Sequence, residues 1–170
     1  YRYNGNMSPK GGKGKVSVTL VYQNDKDNNL EIPLPKGLIR VYKADTDESI
    51  ELIGEDKIDH TPRNEEVRIS TGNAFDVVGE RKQMDIKKKV LDEKTLTTYK
   101  YEIKVRNHKN EEIEVIVEER MRGDWEILDA TRGWEKKSSS KIEWVVGVKP
   151  EEEKVIKYTV QITSKNRRRR

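Results

Sequence analysis

The chain has 170 residues, room for one medium or two small domains. Charged residues make up 39% and hydrophobic ones 32%, and the mean hydropathy is -0.99; that would suit a disordered chain if the apolar residues were scattered. They recur instead at every second position in short runs, the pattern of a sheet with one buried and one solvated face, so composition points to an all-β protein with a thin core.

The absence of cysteine excludes disulfides, zinc-thiolate sites, iron–sulfur clusters and thiol nucleophiles. No apolar stretch approaches the roughly 18 residues of a membrane-crossing helix, and no signal-peptide pattern opens the chain, so no membrane span is expected. The chain begins at Tyr1, which reads as a fragment or processed form of a longer protein. Its formal charge of +4 resides in Arg167, Arg168, Arg169 and Arg170; without these four, the 35 basic residues fall to the number of the 31 acidic ones. Residues 167–170 are expected to form a disordered basic tail making weak, nonspecific polyanion contact, and no specific nucleic-acid partner is expected.

In chain order, Pro9 to Lys15 is basic and glycine-rich but lacks the Gly-Lys-Ser/Thr ending of a phosphate loop, because Val16 follows Lys15. Val16, Val18, Leu20 and Tyr22 alternate as a half-buried strand, and Asn24 to Asn29 is a turn. Pro33 and Pro35 exclude a central strand around Leu34. Strands are expected at Leu38 to Tyr42, Ile50 to Ile53, Val67 to Thr71 and Phe75 to Val78, the last two joined by a tight turn at Gly72-Asn73. Arg81 to Lys94 reads as a long strand crossing between two lobes, with Met84 and Ile86 alternating against charged residues.

Beyond it, Thr97, Tyr99, Tyr101, Ile103 and Val105 share one face, and Asn107 to Asn110 makes a turn. Ile113, Val115 and Val117 face inward on the returning strand, with Glu112, Glu114 and Glu118 outward. Trp125 and Ile127 open the next strand, Lys136 to Lys141 is a polar loop, and Ile142 to Val148 and Ile156 to Ile162 complete the set. This pattern predicts an antiparallel β-sandwich whose second half is immunoglobulin-like without the cysteine pair of antibody domains, divided into lobes at 1–85 and 86–166.

Several stretches carry a resemblance: Leu34-Pro35-Lys36-Gly37 leading to Arg40-Val41-Tyr42, Gly54-Glu55-Asp56 with Asp59-His60-Thr61-Pro62, and Gly72 to Val78 with Glu80-Arg81-Lys82. Arg106-Asn107-His108-Lys109 and Gly123-Asp124-Trp125-Glu126-Ile127 continue it. Over Leu34 to Thr163 the chain resembles the carboxy-terminal part of bacterial proteins in the domain-of-unknown-function family 4139. Members of that family are typically longer and often exported, so the resemblance implies a piece of an exported or cell-envelope protein, and it carries over no catalytic residue.

Catalytic chemistry needs converging acids, bases or nucleophiles, and only His60 and His108 are present, in different halves. Asp56, Asp59, His60 and Asp76 are the only grouping with metal-ligand chemistry, and a local turn before Pro62 accounts for the first three, so no metal or cofactor is expected. Ser138 to Ser140 has no histidine nearby, and Arg122-Gly123-Asp124, the tripeptide read by integrins, reads as a turn into a strand. Trp125 and Trp144 are expected in the core, whereas Trp134 sits in a loop where it is free to stack on a sugar or a protein. The expectation is therefore a module that is not an enzyme and engages a protein or cell-surface partner, with Trp134 and Arg167 to Arg170 as weak binding candidates. The alternatives are an accessory domain of a hydrolase with its catalytic region upstream, or polyanion binding through the arginine tail.

Overall fold

A computed structural model describes residues 1–5, 12–44 and 49–166. Its named elements are all strands: β1 (Arg2–Asn4), β2 (Gly12–Gln23), β3 (Gly37–Ala44), β4 (Ile50–Ile58), β5 (Glu66–Val90), β6 (Lys94–Asn107), β7 (Ile113–Arg120), β8 (Asp124–Ala130), β9 (Glu135–Ser138), β10 (Lys141–Val148) and β11 (Glu153–Lys165). The all-β reading therefore holds. Nine strands form one sheet in the order β8-β11-β6-β5-β2-β1-β7-β10-β9, and β3 and β4 form a two-stranded ribbon. The chain divides into unit 1, Tyr1–Val16 with Phe75–Arg170, and unit 2, Ser17–Ala74. It leaves unit 1 within β2 and returns within β5, whereas the segment 81–94 lies wholly in unit 1.

In unit 1, β5 and β6 form a hairpin, β11 runs antiparallel to β6 from Glu153↔Arg106 to Lys165↔Lys94, and β8 adds to the far side of β11. At the other end of the order β10 pairs antiparallel with β7, and β1 pairs with β7 in parallel through Arg2↔Ile116, Tyr3↔Val117 and Asn4↔Glu118. The alternation in β6, β7, β10 and β11 puts Ile103, Val105, Val115, Val117, Ile142, Trp144, Val146, Val148, Ile156 and Tyr158 in the core. The Trp144 and Tyr158 rings meet at 5.2 Å, although five strands separate β10 from β11 in the sheet order. The sheet therefore folds over, so that β10 faces β11 across the core.

In unit 2 the inner face of the ribbon, with Ile39, Val41 and Ile58, packs with Val67, Ile69, Tyr22 and Leu34. Asn24 is fully buried; its Nδ2 donates to the Ile32 and Pro62 carbonyls at 2.7 and 2.9 Å and ties the proline-rich segment in place. Leu34 is not in a strand but makes a single bridge to Thr61, as its flanking prolines require.

Four local expectations are corrected. Gly72-Asn73 does not turn the chain, because β5 runs unbroken from Glu66 to Val90; Gly72 takes φ +110° inside the strand, a conformation that glycine alone adopts readily, and Phe75 stays 99% exposed. Met84 and Ile86 do not share a face, since a register shift between Gln83 and Asp85 intervenes. Glu118 does not face water; it is buried against Arg2, Arg120 and Lys141. The polar stretch from Lys136 contains β9, which is fully exposed and forms by pairing with β10 rather than by burying a face.

Candidate functional site

Beside the core of unit 1 lies a pocket of about 470 Å³, walled by one face of β5, β6 and β11. Register explains the wall. Gln83, Tyr101 and Tyr158 stand opposite one another on adjacent strands, and Ile86, Tyr99 and Val160 form the next row. The shift between Gln83 and Asp85 makes both rows possible, because it leaves Met84 unpaired and returns Ile86, rather than Asp85, to the pocket face. The facing side is the end of β7 and the residues after it, Glu119 to Arg122.

The floor is polar. The side chain of Glu119 is 1% exposed, and its two carboxylate oxygens are separately engaged: Oε1 accepts from Arg81 Nε at 2.9 Å, and Oε2 accepts from the Tyr158 hydroxyl at 2.9 Å. Arg81, 7% exposed, reaches the Tyr158 oxygen through Nη2 at 3.5 Å and lays its guanidinium 3.7 Å from the Tyr101 ring centre. Burial raises the Glu119 carboxyl above its usual range against the opposing pull of Arg81 and Tyr158. Burial also raises the Tyr158 hydroxyl, with the Glu119 charge adding to it. For Arg81 burial opposes the charge, and Glu119 with the two tyrosines outweighs it, so the guanidinium is held protonated.

A row of rings connects this floor to the core and to the pocket mouth: Trp144 to Tyr158 at 5.2 Å, Tyr158 to Tyr101 at 5.3 Å, and Tyr101 to Tyr99 at 5.9 Å with nearly parallel planes. Gly5 closes the far side of Glu119, where a Cβ would stand 1.8 Å from Oε1.

The residues singled out from sequence lie elsewhere. Trp134 is half-buried and packs edge-on against Trp125 at 6.3 Å, lining a shallow surface depression with Ile127 to Ala130, Arg132 and Gly133. Trp144 is in the core, but Trp125 is only half-buried; its Nε1 donates to the Ser139 carbonyl at 2.8 Å and Lys136 lies 4.9 Å above its ring. Arg167 to Arg170 lie outside the described residues. Asp56 accepts from the Ser70 and Lys57 amides, which hold its carboxyl below the usual range, Asp59 pairs with Lys36, and His60 Nδ1 accepts from the Lys36 amide. Asp76 pairs with Lys109 at 3.0 Å, and no group of metal-ligating residues occurs among the described residues. Ser138 Oγ accepts from the Ser140 amide. Gly123, at φ +73°, makes the turn into β8, and Arg122 beside it reaches the pocket.

Sequence reasoning missed Arg81, Glu119 and the pocket tyrosines as a group. The signal was alternation carried further: Ile113, Val115 and Val117 continue to Glu119, and Val77 and Gly79 to Arg81, so both charges fall on the inward phase of their strands.

In unit 2 a second feature stands out. On the outer face of the ribbon Tyr42 lies opposite Leu52 and Ala44 opposite Ile50, leaving Tyr42, Leu52 and Ile50 54%, 53% and 71% exposed. Arg40 and Glu55, ion-paired at 3.3 Å, continue the same face.

A scan against protein-family models and searches of curated proteins and solved structures found no match.

Proposed function

We propose that the chain is a non-catalytic interaction module of an exported or envelope-associated bacterial protein, binding a protein partner at the cell surface through the outer face of the β3–β4 ribbon. The observation that carries this reading is the exposed apolar set Tyr42, Ile50 and Leu52, bordered by the Arg40–Glu55 ion pair. An apolar centre with a polar border is the usual anatomy of a protein interface, and tyrosine is enriched in such centres. The ribbon spends its opposite face on the core of unit 2, so its outer face remains for a partner.

The architecture of the module is an antiparallel β-sandwich with an immunoglobulin-like second half, a reading supported by the Trp144–Tyr158 contact across the folded sheet. Export is supported by the resemblance of residues 34–163 to family 4139. The absence of catalysis is supported by the engagement of the histidines in local contacts, His60 with the Lys36 amide and His108 with Glu151.

The test is co-sedimentation of the purified protein with bacterial envelope fractions, beside a Leu52→Glu variant. Saturable retention of the parent that drops at least tenfold in the variant is the expected result. Equal retention of both, or none of either, overturns the reading.

A further inference from the structure

Arg81 and Glu119 form a buried ion pair, and such pairs are poor stabilisers: well-packed apolar residues in their place are commonly neutral or better. This pair sits on the floor of a pocket, and the arrangement leaves donor capacity toward it. Arg81 Nε and Nη2 are engaged by Glu119 and Tyr158, whereas Nη1 has no hydrogen-bond partner among the described residues and is not among the enclosed unpartnered atoms. It is therefore open to the pocket that Arg81 lines.

The charges around that opening do not cancel. Glu119 is matched by Arg81, and Arg120 at the rim by Glu118 at 3.3 Å. Arg122, exposed on the same rim, has no ion-pair partner among the described residues. The lining thus carries an excess positive charge directed at the cavity, with its one carboxylate already holding two donors. Apart from Gln83, the remaining walls are apolar or aromatic: the half-buried Tyr99, with Val160, Ile162 and Met121. A volume of 470 Å³ lies within the range of small-molecule sites, which pair an apolar lining with a few placed polar groups.

From this juxtaposition we infer that the pocket binds a carboxylate carried on a flat apolar body, with the carboxylate against Arg122 and Arg81 Nη1 and the apolar body on Tyr99, Val160 and Ile162. A free aryl-alkanoate and the carboxy-terminal residue of a peptide ending in an aromatic side chain share this chemistry. The site is separate from the ribbon of unit 2 and stands or falls independently of it.

Calorimetric titration of the full chain with 3-phenylpropionate, 3-phenylpropanol and inorganic phosphate tests the inference. The acid is expected to bind about tenfold or more tightly than the alcohol, the value of one hydrogen bond to a charged group, and phosphate not measurably. Arg122→Ala and Tyr99→Ala, both on the solvent side of the pocket, are each expected to weaken acid binding severalfold, with the melting temperature of the free protein little changed. The paired replacement Arg81→Met with Glu119→Leu, which keeps the floor filled but leaves Arg122, is expected to reduce the preference for acid over alcohol severalfold. Acetyl-Gly-Phe with a free carboxylate, run beside its amide, names the source: tighter binding than 3-phenylpropionate assigns a peptide terminus, weaker binding a free acid. Equal affinity for acid and alcohol, no binding of the acid at 10 mM (about the weakest interaction worth calling a site), or indifference of binding to both Arg122→Ala and Tyr99→Ala overturns the inference.

Discussion

The ring of Tyr3 lies so close to the backbone of Gly79 that a Cβ at position 79 would stand 2.0 Å from the Tyr3 Cδ2. Tyr3 is fully buried on β1, and burial pushes its hydroxyl up to about 12. Neither group has free space to yield. Gly79→Ala is therefore expected to cost about 3 kcal/mol, the upper part of the range for overpacking. Adding Tyr3→Ala should recover part of that loss, because the two side chains compete for one volume. Urea unfolding of both single variants and the double variant checks this; strictly additive losses would exclude the steric account.

Asn107 is buried at the end of β6 and holds a chain reversal together from inside. Its Nδ2 lies within hydrogen-bond range of the Glu111, Val148 and Lys149 carbonyls at 2.8, 3.0 and 3.1 Å, and its Oδ1 accepts from the Lys109 amide. Asn107→Asp keeps the shape but turns the donor into an oxygen facing three carbonyl oxygens. The expected loss is about 3 kcal/mol at pH 7, since a buried unsatisfied group costs about 1–3 kcal/mol and a charged one more. It should shrink when the pH falls below the range in which the new carboxyl ionises. A loss below 1 kcal/mol in urea unfolding (about that of an ordinary hydrogen bond) would contradict the role assigned to the amide.

Arg2 and Glu143 give stability a pH dependence of defined sign. Burial opposes ionisation of Glu143, but hydrogen bonds and charge from Arg2, with Nη1 at 2.5 Å, and from Lys141 outweigh it and hold the carboxyl below its ordinary value. A carboxyl depressed in the folded state contributes stability that is present above its unfolded pKa and lost as pH falls through the folded one. Arg2→Met should therefore destabilise at pH 7 and converge on the parent in acid. A hydrogen bond to a charged group is worth about 1.5–3 kcal/mol, and the low end applies because the Arg2 side chain is 32% exposed. Urea midpoints across pH 3–7 (a span bracketing ordinary carboxylate values) check it; a difference independent of pH would rule out the Glu143 linkage.

The strands that were legible in the sequence are those in which burial and alternation coincide. Ile103 and Val105, Val115 and Val117, and Ile142 to Val148 announce their dry face directly. β1 announces nothing, because three residues have no period and its pairing partner is Ile116 to Glu118, far along the chain. β9 has no buried side chain to betray it and exists through its hydrogen bonds to β10. At Gly72 the local signal was genuine, since the residue does take positive φ, but a long strand accommodated it without reversing. The pocket failed for a related reason. Arg81 and Glu119 are each one charge among many in a chain that is 39% charged, and only the fold brings them to 2.9 Å.

The parallel pairing of β1 with β7 also orders events during synthesis. Arg2–Asn4 leave the ribosome well before their partners Ile116–Glu118, which follow more than a hundred residues later, and Ser17–Ala74 appear between them. At roughly 5–20 residues per second the nascent segment waits on the order of ten seconds for its strand. During that interval unit 2 already has its own core residues, Ile58, Val67 and Ile69, at hand. Unit 1 must close around a start and a finish delivered at different times, and the capture of Tyr3 against β7 is its strand pairing with the largest loop to close, the kind of non-local contact that slows folding.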